Sequence, residues 1–362
     1  MSELKQILDL WKSAGARKED VCLASVVAIE GSAYRRPGAR MLLTSSGQRA
    51  GTVSGGCLEA EIAKKAWWLT ERGASVQRYS SFFDDDGDMP YGLGCGGTVI
   101  VLLERGEPAG RVLEALRRSV EVRTESVIVT DTNPEHPGTA LILNEGGDLV
   151  FARPGQDAPP AALAHEVART GVSHHAPGVF AEFVAPPPAL VIFGAGDDAQ
   201  PLAAFAAALG WHITIADGRA NLARAERFPD AARVGGLDEA LAGIGAETAA
   251  VIMTHSYEQD RKALGALLGR EMKYTGILGP RRRTERLVSE VAPGLGLTAE
   301  ECMARLHTPV GLDLGGHSPA AIALSIAAEL QAVFSGRESA GRAGAGSGRE
   351  ARGLSSAPAI HA

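Results

Sequence analysis

A glycine-rich turn between an apolar strand and an apolar helix constrains the fold of this chain more than any other feature. The segment LVIFGAGDDA, residues 190–199, fits G-x-G-x-x-A directly after a predicted strand. In this pattern Gly194 permits the tight turn, and Gly196 lets a diphosphate approach the backbone at the positive N-terminus of the helix. Asp217 ends the next predicted strand, where an acidic side chain binds the ribose hydroxyls of a dinucleotide. The turn therefore predicts a Rossmann-like domain, with a retained fold around an idle site as the alternative.

Strands and helices alternate after this turn in the order that a doubly wound parallel sheet requires. The predicted strands cover 189–193, 212–217, 249–254 and 274–279. A last helix is expected to begin at Ser318-Pro319, because serine caps a helix well and proline suits its first position.

The preceding half of the chain has a mixed pattern. Helices are predicted over 3–14 and 57–73 from the spacing of their apolar residues. Strands are predicted over 21–30, 39–44, 97–104, 125–131 and 139–144. We therefore expect an α/β protein in which a mixed α+β domain is followed by the Rossmann-like parallel sheet.

The length and one proline run define the domain boundaries. A chain of 362 residues suggests two domains, and the stiff prolines of residues 185–188 suit a linker. We expect the first domain to span 1–184 and the Rossmann-like domain to span 189–335. Residues 336–362 are rich in Gly, Ser, Arg and Ala without an apolar period, so a disordered tail is predicted.

Composition excludes several classes of protein. The formal net charge of −7 argues against broad binding of nucleic acid or anionic membranes. No apolar run approaches the ~20 residues that span a bilayer, and the first residues have no signal-peptide pattern. The four cysteines are widely spaced without a CxxC pair, which excludes a zinc ribbon or a disulfide framework. We expect a cytoplasmic protein with free thiols and no nucleic-acid or membrane partner.

Two cysteines lie in glycine-rich loops. Gly55 and Gly56 precede Cys57 at the start of a predicted helix, where the helix dipole lowers a thiol pKa and the glycines admit a bulky ligand. Cys95 lies between Gly94 and Gly96 at the start of a strand. A nucleophile, a sulfur carrier and a ligand for a soft metal are the functional interpretations, and a small packed residue is the alternative. The packed interpretation is the one we adopt for Cys22 and Cys302.

Polar residues are predicted at the carboxyl edge of the parallel sheet. Thr254 and His255 end a strand that should flank the crevice of the sheet. His255 could act as an acid–base group or contact a ligand, and a polar residue at a strand end is the equally weighted alternative. Ser256 and Gln259 have the spacing of a capping box for the next helix.

Two basic segments could bind anions. Arg281, Arg282 and Arg283 fall in the first turn of a predicted helix, where the macrodipole favours negative charge. A phosphate-type ligand would offset that conflict, and the alternatives are a solvated face or inter-domain pairing. Arg36 belongs to a second basic loop, residues 31–38, that is rich in Gly and Pro and could bind another anion.

Several of these motifs together resemble the XdhC/CoxI family. Three segments of the first half resemble the N-terminal signature of that family: Gly31-Ser32 with Arg36–Gly38, the run Gly51–Glu59, and the run Gly92–Gly97. The second half resembles the family at Gly194–Gly196, Thr254-His255 with Asp260, Gly279–Arg283 and Pro309–Gly315. The resemblance covers about residues 1–335. At the glycine turn, the family commonly has His-Val where this chain has Asp197-Asp198.

The resemblance implies a function that composition would not have indicated. Members are accessory proteins of xanthine dehydrogenase and related molybdenum hydroxylases. They bind the molybdenum cofactor, protect it while its terminal oxo ligand is exchanged for sulfur, and deliver it to the apo-hydroxylase. A cysteine desulfurase and that hydroxylase would be the partners. The residues agree with this, since a soft thiolate suits molybdenum or its sulfido group.

Three hypotheses follow, and we adopt the first. It is a non-catalytic chaperone with Cys57, and Cys95 as a second candidate, near the metal, while the Rossmann half binds the pterin or a nucleotide part. The second is an NAD(P)-dependent oxidoreductase that uses the site of residues 194–217 with His255 as the acid–base group. The third is a sulfur carrier that receives a persulfide on Cys57 without binding the pterin. Exposed sheet edges in the first half also favour a homodimer.

Overall fold

Within the part of the chain that the structure describes, three five-stranded sheets form the framework, two of them antiparallel and one parallel. This computed structural model describes residues 2–56, 58–80, 97–154 and 161–337. The candidates Cys57 and Cys95 lie outside the described residues, as do positions 338–362 of the predicted tail. The mixed α+β half followed by a parallel sheet confirms the predicted fold class.

The first sheet has the strand order β3-β2-β1-β5-β4. Its strands are β1 (Val21–Gly31), β2 (Arg40–Thr44), β3 (Arg49–Gly51), β4 (Ser75–Ser80) and β5 (Gly97–Arg105). Two helices belong to this part of the chain, α1 (Glu3–Arg17) and α2 (Glu59–Leu69). Helix α2 packs its apolar side on one face of the sheet, while α1 contacts β2 and β3 from the other side.

The second sheet has the order β8-β7-β6-β10-β9. Its strands are β6 (Ser126–Asp131), β7 (Gly138–Asn144), β8 (Leu149–Ala152), β9 (His174–Ala176) and β10 (Val179–Val184). Helix α3 (Gly106–Glu121) packs apolar residues between the two antiparallel sheets, and α4 (Ala161–Thr170) covers the far face. The largely buried Arg40–Glu182 ion pair joins β2 of the first sheet to β10 of the second.

The third sheet is parallel with the order β13-β12-β11-β14-β15. Its strands are β11 (Ala189–Phe193), β12 (His212–Ala216), β13 (Arg233–Gly235), β14 (Thr248–Ile252) and β15 (Tyr274–Ile277). The helices are α5 (Ala199–Ala208), α6 (Leu237–Ala242), α7 (Tyr257–Leu268), α8 (Arg281–Leu295), α9 (Ala299–Ala304) and α10 (Pro319–Phe334). Helices α5 and α10 pack on one face and α7 and α8 on the other, as in a doubly wound fold. The strand order reverses between β11 and β14, which places the crevice there.

One predicted helix cap forms and another does not. Ser318 Oγ accepts a hydrogen bond from Ala321 N at 3.2 Å and Pro319 begins α10, as predicted. The predicted capping box of α7 is wrong, because Ser256 makes no side-chain cap bond. Gln259 Oε1 instead accepts a hydrogen bond from Gly218 N at 2.8 Å. Folding brings Gly218, just after β12, next to Gln259. The glutamine side chain therefore bonds to that backbone N–H instead of capping α7.

The proline run lies between β10 and β11 without regular secondary structure. Arg123 donates a hydrogen bond from its guanidinium to Pro187 O at 2.9 Å, which attaches this segment to the end of α3. The domain boundaries on either side of it stay a prediction. No helix within the described ranges is both long and apolar enough to cross a membrane.

Candidate functional site

Two glycine-rich loops of the N-terminal half, which begin after Gly31 and Gly51, approach each other, and the first also contacts Gly97 at the start of β5. Strand β1 ends at Gly31, and its antiparallel register pairs that residue with Gly97 at the start of β5. Strand β3 runs in the same direction as β1 and ends at Gly51. In this register Gly51 lies level with Ala24, so the loop that follows Gly31 folds back before it approaches the segment after Gly51.

Gly97 shows how closely two of these segments approach. A side chain at this position would overlap the carbonyl oxygen of Ser32 and lie 2.8 Å from that of Glu30. Glycine is required here because the backbone after β1 passes directly over it. Position 95 itself is not described, but the chain continues from it to a residue that touches the basic loop.

Ser54 and Glu59 hold the loop on both sides of position 57. The buried Glu59 carboxylate accepts hydrogen bonds from Val53 N at 3.1 Å, Ser54 N at 2.8 Å and Ser54 Oγ at 2.7 Å. Ser54 Oγ accepts from Gly56 N at 3.2 Å and Leu58 N at 3.1 Å. Burial alone would raise the pKa of Glu59, but these hydrogen bonds outweigh burial and lower it. An ionised carboxylate thus organises the backbone at the start of α2.

The basic loop places an aromatic ring and a cation beside this segment. The Tyr34 ring lies against Gly55, with Cγ and Cδ1 3.8 Å from where a Cβ would be, and the residue is 75% exposed. Arg35 forms an ion pair with Glu3 of α1. Arg36 is exposed, and within the described ranges its side chain has no partner. Arg36 is therefore the available cation of this loop.

The turn after β11 is compact, as the glycine pattern requires. Gly194 has φ +126°, and a side chain there would overlap the carbonyl oxygen of Met253 at the end of β14. Gly194 N donates to Ala216 O at 2.8 Å, which ties the turn to β12 as well. Only glycine satisfies both the backbone angle and the close approach.

Asp217 is engaged inside the chain. The residue is 2% exposed, and its carboxylate accepts hydrogen bonds from Ala195 N at 2.9 Å and Arg219 N at 2.9 Å. The Arg219 guanidinium donates two more, at 2.9 and 2.7 Å. Burial alone would raise the pKa of Asp217, but the hydrogen bonds from Arg219 and Ala195 outweigh it and lower that pKa. A ribose would reach this carboxylate only after Arg219 has left it.

Thr254 and His255 point in different directions at the end of β14. Thr254 is buried, and its hydroxyl hydrogen-bonds to the Asp260 carboxylate. The His255 side chain is 60% exposed, and its Nε2 lies 2.7 Å from Asp198 Oδ2. His255 also has φ +58°, an uncommon backbone conformation for a residue with a side chain. Of this pair, His255 is the residue that faces the crevice.

The three arginines at the start of α8 have separate environments. Arg283 forms an ion pair with the buried Asp260 at 2.7 Å. Arg281 Nε lies 3.1 Å from Glu285 one turn along the helix, and both are exposed. Arg282 is exposed, and the described part of the chain offers its side chain no partner. Arg281 and Arg282 are available to an anion, whereas Arg283 has a structural partner.

The structure thus gathers the predicted site residues in two groups. The N-terminal group contains Arg36, Gly55 and Gly56, and the group at the edge of the parallel sheet contains Gly194, Gly196, Asp217, Thr254, His255, Arg281 and Arg282. The organising roles of Ser54, Glu59 and Asp260 were not predicted from the sequence. The bonds of Ser54 and Glu59 span only two to six positions, so their spacing was a local signal, whereas the pair of Asp260 with Arg283 joins distant segments. The cysteines predicted to be packed, Cys22 and Cys302, are fully buried, and burial raises the pKa of the Cys22 thiol to about 12. Within the described ranges, which lack Cys57 and Cys95, no cluster of His, Cys, Asp and Glu could hold a metal ion.

Comparison with known proteins finds matches in both halves. The family model of the XdhC Rossmann domain matches residues 190–330, and that of the XdhC and CoxI family matches 14–80. The chain is 30% identical over 325 residues to a Bacillus subtilis protein named as a probable subunit of xanthine dehydrogenase, covering 86% of this chain and 93% of that one. It is 27% identical over 311 residues to the molybdenum cofactor insertion chaperone PaoD of Escherichia coli, covering 86% and 82%. A crystal structure of a xanthine dehydrogenase from Bacillus halodurans has a TM-score of 0.74 and 28% identity over 96% of this chain and 98% of that one.

Proposed function

The chain belongs to the XdhC and CoxI family, and from that premise we propose that it is an accessory protein of molybdenum enzymes. It binds the molybdenum cofactor as cargo and inserts it into a hydroxylase of the xanthine dehydrogenase type. The observation that carries this proposal is the similarity, over 86% of the chain, to a relative named a molybdenum cofactor insertion chaperone. A second relative, which aligns over 86% of the chain as well, is named as part of a xanthine dehydrogenase.

The N-terminal group of loops is the proposed cargo site. Cys57 would offer a soft thiolate to molybdenum or its sulfido group, with Cys95 as a second candidate. Ser54 and Glu59 support this role because they fix the backbone on both sides of Cys57. Tyr34 offers an exposed ring to a planar pterin, and Arg36, whose side chain has no partner among the described residues, offers a cation to its phosphate.

The edge of the parallel sheet is proposed to bind the phosphate or nucleotide part of the cargo. Arg281 and Arg282 are exposed at the N-terminus of α8, where the helix dipole adds to their positive charge in attracting an anion. The exposed ring of His255 lies at the end of a strand in the same sheet. The pair of Asp217 with Arg219 weighs against the alternative hypothesis, an NAD(P)-dependent oxidoreductase, because this carboxylate is already bound.

Sulfuration and the partners complete the proposal. The cargo would be held while its terminal oxo ligand is exchanged for sulfur from a cysteine desulfurase, and would then be passed to the apo-hydroxylase. The chain would bind, position and protect the cofactor without being the catalyst of the exchange. A cytoplasmic location and a homodimer belong to this proposal too.

The proposal is tested by the molybdenum and pterin content of the chain, purified anaerobically from a host that makes the cofactor. Wild type is compared with Cys57→Ala, and Cys22→Ala serves as the control because it removes a buried thiol. Near-stoichiometric molybdenum that is lost in Cys57→Ala and kept in Cys22→Ala is expected. Equal retention by the two variants would remove the role of Cys57. Metal-free wild type with a persulfide on Cys57 would favour a sulfur carrier instead.

A further inference from the structure

The glycine turn after β11 is filled by a carboxylate of the chain itself. A Cβ placed on Gly196 would lie 2.6 Å from Asp198 Oδ1. In a dinucleotide site the missing side chain of this glycine leaves room for the diphosphate. Here the same space lies against the carboxylate of a residue two positions further along.

The second oxygen of Asp198 reaches across the crevice. Asp198 Oδ2 lies 2.7 Å from His255 Nε2, which joins the turn after β11 to the end of β14. Asp198 occupies the N-cap position of α5 but makes no side-chain cap hydrogen bond to that helix. Its carboxylate is therefore directed at His255 rather than at the free N–H groups of the helix, and it is only 16% exposed.

The turn that carries Asp198 is held from several sides. Arg227 donates hydrogen bonds to Ala195 O and Asp197 Oδ1, both at 2.6 Å. Ala195 N donates to Asp217 at 2.9 Å. Both polar groups of the peptide backbone at Ala195 are thus bound by side chains. A diphosphate could not gain space by a simple shift of this turn.

From this geometry we propose that Asp198 is a specificity-determining residue that excludes the diphosphate of NAD-type dinucleotides from the glycine turn. The carboxylate takes the position beside Gly196 and His255 that a diphosphate oxygen would take. It also repels the negative charge of the diphosphate. The left-handed backbone of His255 supports this role, because such uncommon conformations persist where surrounding contacts hold them. This inference goes beyond the proposed function and does not depend on the cargo.

Inorganic pyrophosphate and NADH are the probes that test this inference, in calorimetric titrations of the full chain. Asp198→Ala removes the carboxylate, and Asp198→Asn removes its charge with little change of shape. Asp238→Asn is the matched control, since it makes the same charge change on α6, outside the turn, where the side chain is 81% exposed and pairs with Lys262. Both Asp198 variants are expected to bind pyrophosphate at least tenfold more tightly than wild type, while the control stays within twofold. Wild type is expected not to bind NADH.

Three outcomes would overturn the inference. Wild type could bind NADH as tightly as the Asp198 variants do, which would mean that the turn is open. In the second outcome, both Asp198 variants remain folded by circular dichroism but bind pyrophosphate no more tightly than wild type does. The control could gain as much as they do, which would assign the effect to net charge alone. None of these results bears on whether the chain retains molybdenum, so this test and that of the proposed function can fail separately.

Discussion

Glu3 Oε1 accepts two hydrogen bonds from Thr52, one from the backbone N–H at 2.7 Å and one from the hydroxyl at 2.8 Å. The same carboxylate forms an ion pair with Arg35. The first turn of α1 therefore fastens both the basic loop and the segment that leads to Cys57. Without this helix the two loops would lose their common support.

Glu3→Gln is expected to reduce molybdenum retention while the chain stays folded. Hydrogen bonds to a charged acceptor contribute about 1.5–3 kcal/mol, and the neutral amide would weaken those from Thr52 and Arg35. The measurement is molybdenum content together with the free energy of unfolding in urea. Glu107→Gln is the control, because it breaks an exposed ion pair with Arg111 on α3. Equal molybdenum content in the two variants would contradict the role of Glu3.

Glu59→Ala is expected to change the reactivity of Cys57. Its carboxylate binds Val53 N, Ser54 N and Ser54 Oγ, and the alanine variant frees the backbone that precedes the thiol. The measurement is the rate of alkylation of Cys57 by iodoacetamide, followed by mass spectrometry from pH 5 to 9. The midpoint of this pH profile should differ between Glu59→Ala and wild type. Glu61→Ala, which removes a partly exposed partner of Lys65, should leave the profile of the wild type. A profile unchanged by Glu59→Ala would show that this carboxylate does not position the thiol.

Tyr34→Ala is expected to weaken pterin retention about tenfold, and Tyr34→Phe to preserve it. Stacking of a heteroaromatic base on an aromatic side chain contributes about 1–3 kcal/mol, and the Phe variant keeps the ring. Pterin content by fluorescence after oxidation is the measurement. Trp68→Ala removes another exposed aromatic residue, on α2, and should have no effect. Loss of pterin in Tyr34→Phe would indicate that the hydroxyl matters rather than the ring.

Arg282→Ala and Arg283→Ala are expected to have different consequences. Arg283 is the ion-pair partner of the buried Asp260, so its removal should cost about 3 kcal/mol of unfolding free energy. Arg282 is exposed, so its removal should weaken only the binding of a phosphate-bearing ligand, and more so at low salt. Urea denaturation and calorimetry with the extracted cofactor at two salt concentrations separate the effects. Identical behaviour of the two variants would contradict this assignment.

The carboxyl group of Glu329 predicts that the free energy of unfolding depends on pH in the acid range. Burial alone would raise its pKa, but hydrogen bonds from His307, Tyr274 and Gly311 N outweigh burial and lower that pKa from 4.5 to about 2. A carboxyl with a lowered folded pKa stabilises the fold above its unfolded pKa. That contribution, on the order of 3 kcal/mol, is present above pH 4.5 and is lost as the pH falls towards 2.

The variant Glu329→Gln measures this contribution. Urea denaturation at a series of pH values should show wild type more stable than the variant at pH 7, with a difference that shrinks below pH 4.5. Glu300→Gln alters an exposed carboxylate at the start of α9 and should follow the wild type. A difference that is constant from pH 7 to 3 would contradict the lowered pKa.

The sequence predicted the parallel sheet well because its strands are short apolar runs separated by glycine turns and helices. The turn at Gly194 and the cap at Ser318 are local signals, and both can be read from a few consecutive residues. Strands β3, β9 and β13 have three residues each, which is too short for a pattern to appear.

Contacts between distant residues could not be predicted in the same way. Asp198 and His255 are 57 positions apart, and Gln259 left its predicted cap for a backbone donor 41 positions away. The alternation of polar and apolar residues does not indicate which distant residues will form such pairs. The same holds for the contact of Tyr34 with Gly55, which lie in loops separated along the chain by β2 and β3.

The buried Asp260 has a consequence for how the crevice responds to a ligand. One carboxylate oxygen binds Thr254, next to His255, and the other binds Arg283, next to Arg282. The loop after β14 and the first turn of α8 are therefore both held by the same carboxylate. An anion that moves the first turn of α8 would therefore disturb the backbone beside His255 as well, and by linkage the reverse holds with the same coupling free energy. Amide hydrogen exchange should slow in both segments together when either is bound.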